Sequence, residues 1–242
     1  IWGLETEGYF TNDAEVKNHA NQNSVIVSPS HAGDLKFKDQ NGDHVINNGK
    51  WTLDDHGDYK VIGNSSKRYN FSLGLDVTWN GFDMNVFFQG VGKRQFYPTT
   101  SGMNVDYEFF SYFATQWTHL TPHLMNNHWT PERTDAYYPR LKPGAAGTPG
   151  KELAAVQTKY LLNGAYLRLK NLIIGYTLPK SITQKIGIEK LRFYITGENP
   201  FTWSKLPSFY KIDPELAGRG SNGGGIAYSH QRAFALGLNL TL

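Results

Sequence analysis

Long stretches of the chain alternate strictly between apolar and polar side chains. In residues 67–79, six apolar side chains occupy one face of an extended strand, and small or polar side chains occupy the other. Asn80 and Gly81 follow, and this dipeptide favours a tight hairpin turn into a return strand. The alternation predicts an all-β chain with antiparallel strands in five stretches, at about 67–79, 82–91, 164–178, 190–203 and 231–242.

Three features favour a transmembrane β-barrel over a soluble sandwich, whose strands also alternate. The strands are about 10 to 13 residues long, enough to cross a bilayer at a tilt, whereas soluble strands average about 5 to 6. Aromatic residues stand at the ends of the apolar stripes, and no charge interrupts their central parts. We expect lipid contact for the apolar set, which is Tyr69, Phe71, Leu73, Leu75, Val77, Trp79, Phe82, Met84, Val86, Phe88, Leu172, Ile174, Tyr176, Leu178, Phe234, Leu236, Leu238, Leu240 and Leu242.

The connections between the strands differ in length. Asn80-Gly81 and the connection at 178–190 are short, whereas those at about 92–161 and 204–230 are long. Outer-membrane barrels have short turns on the periplasmic side and long loops outside the cell. We therefore expect a periplasmic C-terminus, and we expect residues 1–66 to form an extracellular loop region.

Two predictions concern the outer ends of the strands. Arg168 and Lys170 share the even register of Leu172, so we expect them to reach the outer lipid headgroups. Asn199 and Pro200 interrupt a regular strand and predict a β-bulge.

The composition adds several exclusions. The chain has 242 residues, and Lys+Arg 24 against Asp+Glu 21 leave a formal net charge of +3, which gives no sign of a nucleic-acid partner. The absence of Cys excludes disulfides and thiolate metal sites. No catalytic motif stands out, so we do not expect an enzyme. Bacterial single-chain barrels have even strand numbers of about 8 or more, so five strands predict a part of a larger barrel.

Seven motifs carry a resemblance to a known family. In chain order they are GDLKFKDQNGDHVIN, VIG, GFDMNVFFQGVGKR, HWTPERTDAYYPRL, YLRLKNLIIGYTLPKSI, KLRFYITGENPFTWSK and RAFALGLNLTL. Together they closely resemble the C-terminal part of SusC/RagA-type TonB-linked outer-membrane transporters, from about Gly33 to Leu242.

The resemblance implies a 22-stranded barrel of the plugged type, to which this chain contributes the last strands. It also implies active import of glycans or oligopeptides in the bacterial outer membrane. The implied partners are a SusD-like surface lipoprotein that acts as a lid, and the TonB complex, which acts through a plug in the N-terminal region. The alternative is a calcium-stabilised, cell-surface glycan-binding β module without transport.

A possible calcium loop lies within the first motif. Asp39, Asn41 and Asp43 follow the i, i+2, i+4 spacing that opens an EF-hand loop, although Lys50 replaces the Glu of the twelfth position. Asp54 or Asp55 would then supply the missing carboxylate. The other interpretation is a series of Asx turns in a solvated loop.

The long connection at 92–161 is rich in aromatic residues. Trp129, Tyr137 and Tyr138 lie in one of the family motifs, which suggests either contact with substrate or lid, or a shared structural role. Phe110, Phe113 and Trp117 follow a helical spacing and are expected on the buried face of a short helix.

Overall fold

A computed structural model describes residues 1–26, 29–98, 122–141, 153, 155–210, 212–217 and 228–242. The predicted helix face at Phe110, Phe113 and Trp117 lies outside the described residues. Within them, the strands are β1 (Trp2–Gly3), β2 (Thr6–Tyr9), β3 (Leu35–Phe37), β4 (Lys60–Val61), β5 (Arg68–Trp79), β6 (Phe82–Lys93), β7 (Gln95–Phe96), β8 (Leu162–Asn163), β9 (Tyr166–Thr177), β10 (Lys190–Ser204) and β11 (Ala233–Thr241).

The described helices are short. They are α1 (Asp13–Asn18), α2 (Pro122–Asn126) and α3 (Lys180–Thr183), with 3₁₀ turns at Gln184–Ile186 and Ser208–Tyr210. Asn12 caps α1, since its side chain accepts a hydrogen bond from the Glu15 amide at 2.8 Å. None of the described helices is long and apolar enough to span a membrane.

The five long strands form one antiparallel sheet in the order β11-β10-β9-β6-β5. Their ends differ from the expected ones by no more than two residues. The β5–β6 turn places Asn80 at φ 47° and Gly81 at φ 86°, the positive angles that a tight hairpin requires. The antiparallel all-β architecture is therefore confirmed for the described residues.

A β-bulge changes the register of the sheet near the end opposite the Asn80-Gly81 turn, and that end is here called the outer end of the sheet. Asn171 pairs with Phe87 and Glu198, but Leu169 pairs with Phe88 and Phe201, so Lys170 is skipped. The shift between Glu198 and Phe201 confirms the predicted bulge in β10.

The bulge reverses which residues of β9 face each side. On the side of the bulge away from the Asn80-Gly81 turn, Arg168 pairs with Gln89 and Thr202, which belong to the polar face. Arg168 is buried there. Lys170 donates a hydrogen bond to Glu215. The prediction that these two cations reach the lipid headgroups was therefore wrong, because it extended one register through a strand that contains an extra residue.

The 178–189 connection stays with the sheet, since the amides of Leu178 and Glu189 donate to the carbonyls of Leu191 and Thr241. Most of the other described residues pack into a second body, here called the cap. Three two-stranded sheets, β1-β4, β2-β3 and β7-β8, surround a hydrophobic core. This core brings together distant segments, and its fully buried members include Leu4, Phe37, Ile46, Leu153 and Tyr160. Residues 1–66 are thus one part of the cap, joined to the later loops by bonds such as Leu4 N–H to the Val156 carbonyl at 2.8 Å.

Candidate functional site

The large sheet has one continuous apolar face, and the strand register arranges its side chains in rows. The row nearest the β5–β6 turn is aromatic: Trp79, Phe82, Tyr176 and Phe193, with Leu238 at the end. The next two rows are mainly aliphatic: Val77, Met84, Ile174, Ile195 and Leu236, then Leu75, Val86, Leu172, Gly197 and Phe234. The outer rows again contain aromatic residues: Leu73, Phe88, Leu169 and Phe201, then Phe71, Gly90, Leu167 and Trp203.

Many of these apolar side chains are exposed. Leu236 is 83% exposed and Leu73 is 62% exposed. An apolar surface of this extent on a soluble monomer would be unusual, so it marks a contact surface. The rows from Phe71 to Trp79 cover roughly 26 Å along the strand at about 3.3 Å per residue, which is comparable with the apolar band of outer-membrane barrels before strand tilt is considered.

The opposite face of the sheet is polar and is shaped by glycines. Asp83 and Arg192 form a two-bonded ion pair at 2.8 and 2.5 Å, on either side of Gly175. A Cβ at Gly175 would lie 2.5 Å from the Arg192 guanidinium. A larger residue at this position would therefore clash with the guanidinium where it crosses β9. Tyr194 similarly lies over Gly237 on the neighbouring strand.

A buried charge cluster attaches the cap to the outer end of this polar face. Arg168 donates to Asp213 at 2.6 Å and to Glu215 at 2.8 Å, and His230 Nδ1 lies 3.1 Å from Asp213. Burial opposes ionisation of Asp213, but hydrogen bonds from Arg168 and from two backbone amides outweigh it and hold the pKa of Asp213 below its usual value. The cluster therefore fixes the segment at 212–217 to β9 and holds His230, three residues before β11, beside it.

The same cluster contains a group with metal-ligand spacing. One ligand atom from each of Asp213, Glu215 and His230 lies within 4.8 Å of the others. Arg168 and Lys170 already supply positive charge to both carboxylates. The arrangement is thus a compensated ion network, and sequence reasoning missed it because the partners are about 45 residues apart.

The possible calcium loop consists of Asx turns in this structure. Asp39 accepts hydrogen bonds from the amides of Gly42 and His44 at 2.7 and 2.8 Å, and Asp43 accepts one from Val45 at 2.8 Å. Burial acts against ionisation of Asp39, yet these amides lower its pKa.

The carboxylate that closes the loop belongs to Asp58. Its two oxygens accept the amides of Gln40 and Asn47 at 2.8 Å each. Asp55 instead lies 3.6 Å from Lys50, and Asp54 is exposed. In the part of the chain that the structure describes, the metal-ligand group of His, Asp and Glu does not include Asp39, Asp43, Asp54 or Asp55. Asp58 was not among the predicted ligands.

Trp129, Tyr137 and Tyr138 lie inside the cap. Trp129 is 7% exposed and packs so closely on Gly33 that a Cβ there would lie 2.3 Å from the indole. Tyr9 and Tyr160 both donate to the Tyr137 carbonyl, at 2.7 and 2.8 Å. Burial raises the pKa of the Tyr138 hydroxyl, so it stays neutral. These positions favour the structural role over contact with substrate or lid.

Curated relatives place the sequence in a functional context. The chain is 26% identical over 99% of its length to TonB-dependent receptor P3 of Formosa agariphila, and 27% identical over 90% of its length to TonB-dependent receptor P26 of the same organism. It spans 22% and 20% of the length of these two proteins. No family model matches the chain.

Solved structures show a similar fold. The RagAB peptide importer in the 'open-open' state has a TM-score of 0.56 and 19% identity, covering 100% of this chain and 22% of that chain. A structure of the RagAB peptide transporter has a TM-score of 0.56 and 20% identity, covering 99% of this chain and 22% of that chain. The chain is therefore similar in sequence to TonB-dependent receptors and in fold to the RagAB structures, and this likeness confirms the predicted resemblance.

Proposed function

We propose that the chain is a wall segment, with its outer cap, of a TonB-dependent importer in the bacterial outer membrane. The observation that carries this proposal is the apolar face of the large sheet, where aliphatic rows lie between aromatic rows. In the proposed arrangement this face contacts lipid, and the polar face of Asp83, Arg192 and Tyr194 lines the barrel lumen.

The proposed topology completes the barrel with strands outside this chain. The two edge strands of the sheet, β5 and β11, pair with those neighbours, and the whole barrel has 22 strands and a plug. The turn at Asn80-Gly81 and Leu242 lie on the periplasmic side. The cap and the long loops lie outside the cell, because the buried Arg168 cluster joins the cap to the other end of the sheet.

The proposed cargo is a glycan or an oligopeptide. The similar solved structures are named as a peptide importer and a peptide transporter, which supports the second class for this chain. A SusD-like surface lipoprotein covers the outer mouth, and the TonB complex supplies energy through the plug. The cap, which is held at the outer end of the sheet, provides the wall on which such a lid would rest.

Uptake by the full-length receptor in its own host tests this function. We expect deletion of its gene to abolish accumulation of one class of labelled oligopeptides or oligosaccharides, and expression of the receptor to restore it. Loss of TonB should have the same effect as the deletion. Normal uptake of both cargo classes in the deletion strain would contradict the proposal.

Calcium is a separate proposal for the loop that contains Asp39, Asn41 and Asp43. Alternating oxygen side chains in Asx turns can wrap a cation, with the final carboxylate supplied by Asp54 or Asp55 after a rearrangement. Calorimetry of the purified full-length receptor with added CaCl₂ measures this directly. Absence of both binding heat and a change in melting temperature would exclude an occupied site.

The exposed apolar face also separates transport from the alternative, a surface glycan-binding module. A released soluble module would have to cover Leu236 and its neighbours, whereas a barrel wall presents them to lipid. Extraction of native cell envelopes compares the two. Recovery of the folded protein in the aqueous phase without detergent would favour the module.

A further inference from the structure

A loop of the cap presents an exposed tryptophan from an unusual backbone conformation. This loop, residues 47–58, is here called the knuckle. Trp51 has φ 58° and its side chain is 58% exposed. Left-handed φ is rare for a bulky residue because it is strained. The ring is exposed, so the burial of apolar area does not offset the cost of this conformation. The ring is therefore held outside the cap by the loop around it.

The base of the knuckle is closed by hydrogen bonds and by two glycines. The Asp58 amide donates to the Asn47 carbonyl at 2.9 Å, and the Asn47 amide donates to the Asp58 carboxylate at 2.8 Å. Gly49 and Gly57 both have φ 55°, and a Cβ on Gly49 would lie 2.7 Å from the Gly57 nitrogen. Larger residues do not fit there, so the loop has a defined shape.

The tip of the knuckle is a hydrogen-bonded turn that presents two apolar side chains. The amides of Lys50 and Thr52 both donate to the Asp55 carbonyl at 3.1 Å. The Tyr59 ring supports Trp51 from one side, with centroids 4.8 Å apart. Leu53 is 82% exposed beside it. An indole and a leucine presented on a rigid support resemble the anchor residues of protein interfaces.

The charge around the tip indicates which partner it fits. The knuckle contains three aspartates and one lysine, a formal charge of −2, whereas the whole chain carries +3. Asp55 lies near Lys50, while Asp54 is exposed and forms no ion pair within the described residues. An indole face attracts cations, and a nearby carboxylate strengthens that attraction.

We propose that the knuckle is a docking point for a basic face of a second polypeptide at the cell surface. An arginine or lysine of the partner lies over Trp51 and beside Asp54, and an apolar neighbour packs on Leu53. A neutral sugar would use the ring but would gain nothing from the negative charge. This inference goes beyond import, because it concerns a surface of the cap and requires no energy from TonB.

Binding of a labelled tetra-arginine amide to the detergent-purified full-length receptor tests the proposal. We expect Trp51→Ala to weaken binding roughly two- to fivefold, as for an exposed cation–π contact, and Trp51→Phe to cause a smaller loss. Asp54→Asn should weaken binding mainly at low salt. Tyr228→Ala removes an aromatic side chain that is 81% exposed and lies outside the knuckle, so it should have no effect.

Three results would overturn the proposal. The first is unchanged binding by Trp51→Ala, provided that this variant keeps the heat-modifiable band of a folded barrel. The second is competition by maltohexaose as strong as that by unlabelled tetra-arginine, which would assign the surface to sugars. The third is protection of Trp51 from acrylamide quenching in the intact receptor, measured as the difference from Trp51→Phe, because the receptor's own chain would then cover it. All three assays work in detergent, so a failure of the uptake experiment leaves them interpretable.

Discussion

The large sheet and the cap are built on opposite principles. The sheet is one layer whose apolar face is open, with Leu236 and Leu73 exposed, so its stability depends on what surrounds it. The cap hides its apolar groups, and Phe37 and Tyr160 are fully buried in a core made from distant segments. We therefore expect the stability of the sheet to depend on the polarity of a substituted side chain, and the stability of the cap to depend on its volume.

The change with the most severe expected outcome, loss of assembly, is a charge in the central row of the apolar face. Leu172→Arg places a guanidinium on β9, the middle strand, and at the bilayer midplane this costs about 2–4 kcal/mol. Under the proposed function, we expect the full-length protein to lose its heat-modifiable folded band in outer-membrane fractions.

The neighbouring residue provides a matched control. Ile173 pairs with Asn85 and Thr196, which belong to the polar face. Ile173→Arg is the same kind of change on the same strand, one residue away, and we expect it to assemble. Equal failure of both variants would mean that the two faces of the sheet are not lipid and lumen.

The cap should show the opposite sensitivity. Trp129→Ala leaves a cavity beside Gly33, and removal of a buried tryptophan costs about 3–5 kcal/mol. We expect the barrel to assemble with a cap that proteases cut rapidly, as measured by limited proteolysis of whole cells. Leu53→Ala, at a residue that is 82% exposed, should leave the cutting rate unchanged. Loss of the whole barrel in Trp129→Ala would show that the two bodies fold as one unit.

The junction between the two bodies should weaken in acid. The pKa values of Asp213 and Glu215 are lowered in the fold. The two ionised carboxylates therefore stabilise the fold fully above the pKa that they have in the unfolded chain. This stabilisation is lost as pH falls through their lower pKa in the fold. We expect hydrogen exchange of residues 212–217 to accelerate below about pH 4, near the ordinary range of carboxyl groups.

A neutral analogue of the aspartate separates this effect from general acid unfolding. Asp213→Asn removes one of the two carboxylates that pair with the buried Arg168 and leaves only Glu215, so it weakens the cluster. The segment should then exchange quickly at neutral pH, with a smaller further change in acid. An unaltered pH profile in this variant would show that Asp213 is not the titrating group.

The sequence predicted the sheet because its rules are local. Period-two alternation and the Asn80-Gly81 turn determine strands and faces without knowledge of distant contacts. The reversal at Lys170 was also readable, since the apolar residues change from odd positions at Leu167 and Leu169 to even positions at Leu172. The prediction for Arg168 and Lys170 was wrong because it extended the even register of Leu172 across this reversal.

The cap could not be predicted in the same way, because its contacts join remote segments. The hydrogen bond from Tyr9 to the Tyr137 carbonyl spans 128 positions, and no local pattern indicates it. The aromatic residues Trp129 and Tyr138 would have the same sequence signature in a core or at a barrel mouth. The role of Asp58 was hidden by the residues inserted between it and Asp43, which moved it away from the expected spacing.

The smallest expected effect concerns the glycines of the polar face. A Cβ on Gly237 would lie 2.1 Å from the Tyr194 ring, so Gly237→Ala must displace that ring, at about 1–2 kcal/mol. A Cβ on Gly74, on the same sheet, would lie 3.9 Å from Phe87, an ordinary contact, so Gly74→Ala should be neutral or slightly stabilising. The midpoints of urea unfolding for the two variants in detergent micelles compare these costs. If both glycines tolerate alanine equally, the Tyr194 ring is free to move. The polar face would then accommodate an added side-chain volume, unlike the core of the cap. If only Gly237 is sensitive, the polar face requires close packing as well as polar side chains. Tolerance of a substitution would then depend on polarity alone only on the face proposed to meet lipid.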